Sequence, residues 1–142
     1  MKNVRSGNDV SIVVDASAFV ELLLRTPAGS QVEDLLRTEW AFAPELLDPE
    51  VCSVLARLER QKKLDGRAAS QAVICLARAP IERVPHRGLI RKAWSRRHRV
   101  SLYDGFYVAL ASHLACPLVT ADRKLAGASG LGIALTLVGV SA

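Results

Sequence analysis

The 142-residue sequence predicts an α/β protein whose parallel sheet is covered by helices on both faces. Short apolar runs rich in β-branched residues alternate with longer runs of helical periodicity. One or more helices separate successive strands, and such crossover connections require parallel strands. A hydrophobic content of 50% is enough for one sizeable core. We therefore expect residues 1–142 to form a single domain.

The chain begins with a predicted strand and two predicted helices. Residues 11–14 form the strand, and a helical pattern of apolar residues follows at 18–24. The Pro-Ala-Gly sequence at 27–29 interrupts that pattern, and residues 32–36 indicate a second, short helix. The first strand thus delivers Asp15 to the start of a helix.

A brief second strand is predicted at 40–42, followed by a longer helix from Pro44 with apolar residues at three- and four-residue spacing. The start of this helix has two interpretations. Pro49 could kink it, or Pro49 could be its first residue with Asp48 as the N-cap. The position of Glu50 within the first turn depends on which is right.

The middle of the chain predicts two more helices around a third strand. Asp65 and Gly66 form a turn before a helix that ends ahead of Pro80, and residues 81–84 form the strand. The stretch from His86 to His98 then reads as an amphipathic helix with cations on its outer face.

A helix that is apolar nearly all round begins at Asp104, and Pro117 prevents its continuation. Residues 118–120 form a fourth strand that ends near Asp122, and 134–138 form the last strand. Asp15 and Asp122 both follow strands, and sites in open parallel sheets form beyond the carboxyl ends of the strands. Convergence of these two carboxylates is therefore expected.

Positive charge is concentrated in one segment. The net charge is +5, yet seven basic and no acidic residues lie between Arg83 and Arg99. Such a segment is a candidate contact for phosphate groups, while a solvated helix face is the simpler interpretation of an isolated basic run. The residues that we expect to contact a phosphate backbone are Arg91, Lys92, Arg96 and Arg97.

The cysteines and the absence of a long apolar stretch in the sequence predict the cellular compartment. Cys52, Cys75 and Cys116 have no metal-ligand spacing and lie in apolar patterns, so we expect buried free thiols and a reducing cytoplasm. No stretch approaches the roughly 20 apolar residues that a membrane span needs. We therefore expect no membrane association.

Four of the fourteen acidic residues lie in apolar surroundings at the ends of predicted elements: Asp15, Glu50, Asp104 and Asp122. Each alone is readily explained as a helix cap or a first-turn acid. Gathered in one cleft, they would repel one another and bind a hard divalent cation, either Mg²⁺ or Mn²⁺. Carboxylate-bound divalent ions of this kind are typical of nucleases that hydrolyse phosphodiester bonds.

Other chemistries are poorly supported. Ser17 has no histidine in a matching motif, and Cys52 lies in an apolar helical pattern. No glycine-rich phosphate loop follows the first strand.

Three stretches carry a resemblance to a known family: IVVDASAFVELLL, APELLDPEVCSVLARL and LYDGFYVALASHLACPLVTADRKLA. They resemble the signature blocks of PIN-domain ribonucleases, most closely VapC-type toxins of bacterial toxin–antitoxin pairs. The resemblance implies Asp15, Glu50, Asp104 and Asp122 as catalytic metal-binding acids, with Ser17 and Thr120 as polar supports. Asp48 or Glu45 could replace Glu50 if the helix start shifts, and Asp122 could act through water.

The resemblance also implies a fold, a substrate and partners. The expected fold is a Rossmann-like three-layer sandwich with five parallel strands in the order 3-2-1-4-5. The expected activity is Mg²⁺- or Mn²⁺-dependent cleavage of structured cellular RNA, such as tRNA or rRNA. The expected partners are a small VapB-like antitoxin, which inhibits the enzyme in a hetero-oligomer, and a second copy in a homodimer.

Two other functions remain compatible with the sequence. The nuclease could serve RNA maturation or decay, or could cut DNA. Alternatively, the chain could be a catalytically silent nucleic-acid-binding module in which the acids are helix caps. Activity measured with and without Mg²⁺ separates these possibilities.

Overall fold

The computed structural model describes residues 10–140, and its centre is a five-stranded sheet in which every pairing is parallel. The strand order is β3-β2-β1-β4-β5, which confirms the predicted order. The strands are β1 (Ser11–Val14), β2 (Trp40–Pro44), β3 (Ile81–Val84), β4 (Leu118–Thr120) and β5 (Leu135–Leu137).

Within residues 10–140, seven α-helices connect the strands and cover both faces of the sheet. Helices α1 to α4 pack on one another, while α5 packs on α6, which lies against the central strands. Their bounds are α1 (Ala16–Leu23), α2 (Pro27–Thr38), α3 (Leu47–Arg60), α4 (Gly66–Arg78), α5 (Ile90–Ser95), α6 (Leu102–Leu114) and α7 (Arg123–Ala126).

The core forms around β1, β4 and α6. Val13 and Val14 in β1 and Leu118 in β4 are fully buried, as expected for strands covered on both faces. Helix α6 buries a continuous run from Tyr107 to Ala111. Its nearly all-round apolar character, which predicted a buried helix, reflects this central position.

Residues 27–29 do more than interrupt a helix, because α2 begins at Pro27. Thr26 is the N-cap, and its hydroxyl accepts a hydrogen bond from the Gly29 amide at 3.0 Å. Pro27 suits the first turn because the proline ring fixes a helical φ and lacks only an amide that would be unpaired there. A Cβ on Gly29 would lie 2.1 Å from the carbonyl oxygen of Glu21, so only glycine permits this approach of α2 to α1.

The predicted start of the third helix is wrong in both interpretations. Pro44 belongs to β2, and α3 begins at Leu47, so Pro49 lies inside the first turn rather than opening or kinking the helix. Asp48 is not the N-cap. Instead, Nε2 of His86 accepts a hydrogen bond from the Leu46 amide at 2.8 Å. An imidazole forty residues away thus partners an amide at the helix start.

The basic stretch from His86 to His98 is not one helix. A 3₁₀ turn at Arg87–Leu89 precedes the short helix α5, which ends at Ser95. Arg96 occupies the C-cap, and its guanidinium donates to the Lys92 carbonyl at 2.9 Å. The prediction overestimated the helix because a run of cations has no local signal for its end.

Smaller differences concern the end of the chain and the thiols. The strand predicted at 134–138 is shorter in the structure, where β5 spans Leu135–Leu137. Helix α7 was not predicted, because it has only four residues. The cysteines are free, but Cys75 is exposed and Cys52 is only partly buried, so the expectation of three buried thiols is wrong for those two.

Within residues 10–140 no helix is long and apolar enough to cross a membrane.

Candidate active site

Asp15 lies where β1 ends and α1 begins, and its side chain is almost completely buried at 4% exposure. Its backbone is extended, so it acts as the N-cap of α1 and accepts a hydrogen bond from the Ala18 amide at 2.9 Å. The Ser17 hydroxyl donates to the same oxygen, Oδ1, at 2.7 Å. Asp15 is therefore a helix cap, yet capping does not require such burial.

Burial raises the pKa of Asp15 to about 6. Hydrogen bonds involving Thr120, Ala18 and Ser17 oppose this shift, whereas the negative charge of Asp104 adds to it. Among residues 10–140, no basic group is a cause of the shift in the Asp15 pKa, so the lost hydration is offset by hydrogen bonds alone. A divalent ion would add a compensating positive charge.

Ser17 and Thr120 link the ends of β1 and β4. The two hydroxyl oxygens are 3.2 Å apart, and Ser17 Oγ also accepts from the Ala121 amide at 3.0 Å. Thr120 is fully buried and accepts from the Asp122 amide at 3.0 Å. The two predicted polar supports thus join the backbone around Asp15 to the backbone around Asp122.

Glu50 lies in the first turn of α3 and is partly buried. Burial raises its pKa, and the charges of Asp104 and Asp15 raise it further. Asp48 and Glu45, the two alternatives to Glu50, have different surroundings. Asp48 forms an ion pair with Arg83 at 3.0 Å, and Glu45 is exposed. Glu50 is thus electrostatically coupled to Asp15 and Asp104.

Asp104 lies in the first turn of α6, but Ser101 is the N-cap, and its hydroxyl accepts from the Asp104 amide at 3.2 Å. Burial raises the pKa of Asp104 and the Asp122 carboxylate raises it further. The Ser101 hydroxyl and the Lys124 ammonium act in the opposite direction. The Asp104 side chain therefore does not cap α6.

Asp122 is the N-cap of α7. Its Oδ1 accepts hydrogen bonds from the amides of Lys124 at 2.9 Å and Leu125 at 3.3 Å. Its link to the other acids is electrostatic, through its effect on Asp104. The structure thus gives Asp122 an ordinary capping role in addition to its place near the cluster.

Tyr107 belongs to the same site and was missed by sequence reasoning. It is 1% exposed, and its hydroxyl donates to Oε1 of Glu50 at 2.7 Å. Burial, and then the charge of Glu50, hold the pKa of Tyr107 well above its usual range, so the phenol keeps its proton. The available signal was its spacing, one helical turn after Asp104.

The four acids come from four different places: the ends of β1 and β4, and the first turns of α3 and α6. Their mutual effects on pKa link Asp15, Glu50, Asp104 and Asp122 into one electrostatic cluster. Within residues 10–140, no three His, Cys, Asp or Glu side chains form a ready-made metal-binding group. The donor set is nevertheless entirely oxygen and anionic, which fits Mg²⁺ or Mn²⁺.

The basic helix α5 lies beside this cluster. A Cβ on Gly105 would lie 3.0 Å from the Ala93 carbonyl oxygen, so α5 packs closely against the residue that follows Asp104. Arg96 and Arg97 fold back onto carbonyl groups of α5, and the Arg97 guanidinium lies 4.4 Å from the centre of the Trp94 ring. The two remaining cations of the four predicted to contact RNA, Arg91 and Lys92, are exposed.

A groove of about 650 Å³ lies away from the acids, between α1, α2 and the end of α4. Its wall includes Leu22, Leu36 and Ile74, and Ile74 is 51% exposed. Arg25 and Arg78 also line it, and neither forms an ion pair with any residue that the structure describes.

Comparison with known proteins places these features in context. The PIN-domain family profile matches residues 12–131. Ribonuclease VapC1 of Mycobacterium tuberculosis is 40% identical over 128 residues, which cover 89% of this chain and 96% of the relative. The matched region contains all four acids of the cluster.

Solved structures show the same fold. M. tuberculosis VapC20, described as a sarcin-ricin loop cleaving toxin, aligns with a TM-score of 0.63 at 17% identity, over 82% of this chain and 93% of that one. VapBC2 from Rickettsia felis, bound to a DNA fragment from its promoter, aligns with a TM-score of 0.62 at 12% identity. That alignment covers 91% of this chain and 99% of the other.

Proposed function

The chain belongs to the PIN-domain family, among its VapC-type ribonucleases, and from this we propose that it is a Mg²⁺- or Mn²⁺-dependent endoribonuclease toxin. We propose structured cellular RNA, such as tRNA or rRNA, as its substrate. The observation that carries the proposal is the cluster of four acids at the carboxyl edge of the sheet. Burial and mutual repulsion raise the pKa values of three of them, Asp15, Glu50 and Asp104.

In this proposal Asp15, Glu50 and Asp104 hold the divalent ion, and Asp122 contributes through water or through its charge. A bound ion supplies activation of a water molecule and stabilisation of negative charge at phosphate. Ser17 orients the Asp15 carboxylate, because its hydroxyl donates to Oδ1 while also contacting Thr120. The buried network then keeps this first ligand fixed at the end of β1.

The cations of the basic segment position the RNA. Arg91 and Lys92 project from α5, which packs beside Asp104, so a bound backbone would pass close to the acids. Arg96 and Arg97 support the end of α5 through hydrogen bonds to carbonyl groups. They remain able to contribute charge to phosphate binding from that position.

We further propose a small VapB-like antitoxin as the inhibiting partner in a hetero-oligomer, homodimer formation by the chain itself, and action in the cytoplasm. The groove between α1, α2 and α4 suits an amphipathic antitoxin segment carrying acidic residues. Leu22, Leu36 and Ile74 offer it an apolar surface, and Arg25 and Arg78 offer positive charge. Charge complementarity favours this occupant over a second, net basic copy of the chain.

Replacing Asp104 with asparagine tests the proposal. Asparagine keeps the side-chain volume, and Ser101 still caps α6, so the fold should be retained. Cleavage of a sensitive RNA should fall by about a hundredfold or more, because an ion supplies several kcal/mol of charge stabilisation and about 1.4 kcal/mol is a factor of ten in rate. Growth arrest on expression should disappear.

The measurements are RNA cleavage with Mn²⁺ or with chelator, circular dichroism, and the shift in melting temperature that Mn²⁺ produces. The exposed Asp34→Asn variant is the matched control and should behave as wild type. A folded Asp104→Asn protein that cuts RNA at the wild-type rate would remove Asp104 from the mechanism. Wild-type cleavage that continues in chelator would remove the metal.

A further inference from the structure

The hydrogen bond between Tyr107 and Glu50 connects two helices that each carry an acid of the site. Tyr107 follows Asp104 by one turn of α6, while Glu50 lies in the first turn of α3. The phenol hydroxyl and Oε1 of Glu50 are 2.7 Å apart, an ordinary distance for an O–H···O hydrogen bond. One contact thus relates the positions of Glu50 and Asp104.

We propose that Tyr107 is a positioning residue that tethers the Glu50 carboxylate for divalent-ion binding. The inference rests on the proposed function, because it concerns the same metal site. Tyr107 would touch neither the ion nor the RNA. It acts through Glu50, by fixing which oxygen faces the cleft.

The surroundings of Glu50 explain why a tether is useful. A glutamate has three rotatable side-chain bonds, so a free one must be ordered when it binds an ion. Among residues 10–140, the Tyr107 hydroxyl is the only side-chain donor to Glu50, and it occupies Oε1. Oε2 accepts no hydrogen bond from the described part of the chain, so it is available as the ligand atom.

Core packing by itself does not account for this tyrosine. Tyr107 is buried in α6, a helix that is apolar nearly all round, between Phe106 and Val108. A phenylalanine would fill nearly the same volume without a hydroxyl that must find a partner. The hydroxyl instead points to a carboxylate that burial already disfavours in its charged form. The bond thus supports the ionised state that a metal ligand needs.

Tyr107→Phe is the direct test, and Tyr103→Phe is its matched control on the same helix, with the control side chain 58% exposed. Mn²⁺ affinity is measured by isothermal titration calorimetry on metal-free protein. Loss of a hydrogen-bonding partner behind a ligand weakens metal binding by about tenfold to a hundredfold. We expect that loss in Tyr107→Phe, and an affinity within about twofold of wild type in Tyr103→Phe.

A purely structural role would lower the melting temperature of the metal-free protein without changing Mn²⁺ affinity. The double variant with Glu50→Gln separates the two cases. If Tyr107 acts through Glu50, Tyr107→Phe should add nothing to the loss that Glu50→Gln already causes. The Mn²⁺ concentration for half-maximal RNA cleavage should also rise, while the rate at saturating Mn²⁺ changes little.

A second measurement leaves Tyr107 in place and needs no unfolding control. The chain has two tyrosines, so Tyr103→Phe retains Tyr107 as its single tyrosine. Ultraviolet resonance Raman spectra should then show the tyrosine hydrogen-bond signal change as Mn²⁺ is added, because the ion draws charge from Glu50. Glu50→Gln should abolish that change.

The outcomes distinguish the tether from the proposed function. Wild-type protein that binds Mn²⁺, combined with a Tyr107→Phe variant of equal affinity, would overturn the tether alone. A Raman signal unchanged at saturating Mn²⁺ would do the same. Wild-type protein that binds neither Mn²⁺ nor Mg²⁺ would overturn the metal site itself, and the tether with it.

Discussion

At the scale of single residues, Asp15 combines two roles that conflict energetically. It caps α1 through the Ala18 amide, which favours folding, and it is almost completely buried, which disfavours its charged form. The net result is a pKa raised from 3.8 to about 6. A buried acid that costs stability when ionised is typical of a functional site.

The Asp15→Asn variant should therefore be more stable than wild type at neutral pH in the absence of metal. Because the folded-state pKa is raised, the folded protein holds its proton longer than the unfolded chain, and wild-type stability falls as pH rises from about 4 to about 6. Asparagine removes that cost and can still accept from Ala18. We expect a gain of roughly 1–3 kcal/mol above pH 6, given about 1.4 kcal/mol per pKa unit and weaker hydrogen bonds to a neutral acceptor.

Urea unfolding in chelator at several pH values measures this difference. The advantage of Asp15→Asn should shrink towards pH 4 and should reverse in saturating Mn²⁺, which stabilises only the wild type. Asp34→Asn, at an exposed position, should follow the wild-type pH profile. A variant less stable than wild type at neutral pH in chelator would contradict the assigned cost of burial.

At the scale of elements, α5 is a short helix whose cations divide into two kinds. Arg96 and Arg97 donate to carbonyl groups near the helix C-terminus, where positive charge is favourable. Arg91 and Lys92 make no such bonds within the described part of the chain and lie on the exposed side. RNA binding should therefore depend most directly on the second pair.

Replacing Arg91 and Lys92 with alanine should flatten the salt dependence of RNA affinity. Each phosphate neutralised on a single strand contributes about −0.7 to the slope of log affinity against log salt concentration, so two lost contacts should change the slope by about 1.4. Filter binding in an Asp104→Asn background measures this without cleavage. Mn²⁺ affinity should not change.

The paired variant Arg57→Ala and Arg60→Ala removes the same charge from the exposed last turn of α3. Glu50 lies nearer the other end of that helix, about 10 Å from Arg57 and about 15 Å from Arg60 at 1.5 Å per residue. The salt slope of this control variant should equal that of wild type. Equal slopes for both double variants would favour the solvated-face interpretation of the basic segment.

At the scale of the whole molecule, the acids and the groove lie in different regions of the fold. The acids follow the carboxyl ends of the strands, whereas the groove is bounded by α1, α2 and the end of α4. Helix α1 belongs to both, since Asp15 caps it and Leu22 lines the groove. A partner in the groove could thus bind without contacting the metal ligands.

Ile74→Glu should weaken antitoxin binding by at least about tenfold, because it places a charge in an apolar surface and repels acidic residues of the partner. The probe is a purified VapB-like antitoxin, and its affinity for the chain is measured by calorimetry. Ile90→Glu is the matched control, since Ile90 is 52% exposed and Ile74 is 51% exposed, but Ile90 lies outside the groove. If Ile74→Glu binds the antitoxin with wild-type affinity, the antitoxin does not bind in the groove. Loss of a dimer in light scattering instead would identify a second copy as the occupant.

Residue patterns alone predicted the fold class, the alternation of strands and helices, and the four acids that the structure couples. Strand and helix periodicity are local properties, so they can be read from neighbouring residues. The resemblance to PIN-domain ribonucleases added the strand order, which the structure confirms. The metal-binding roles of Asp15, Glu50, Asp104 and Asp122 stay predictions.

Features that depend on contacts between distant parts of the chain could be seen only in the folded structure. His86 hydrogen-bonds at the start of α3, Arg83 pairs with Asp48, and Tyr107 holds Glu50. Their partners lie 35 to 57 residues apart in the chain, and periodicity within one helix carries no information about them. The raised pKa of Asp15 is likewise a property of packing, because burial is produced by the elements that close around β1. Sequence pattern therefore identified the acids, while the packed chain decided which neighbours hold them and in which charge state.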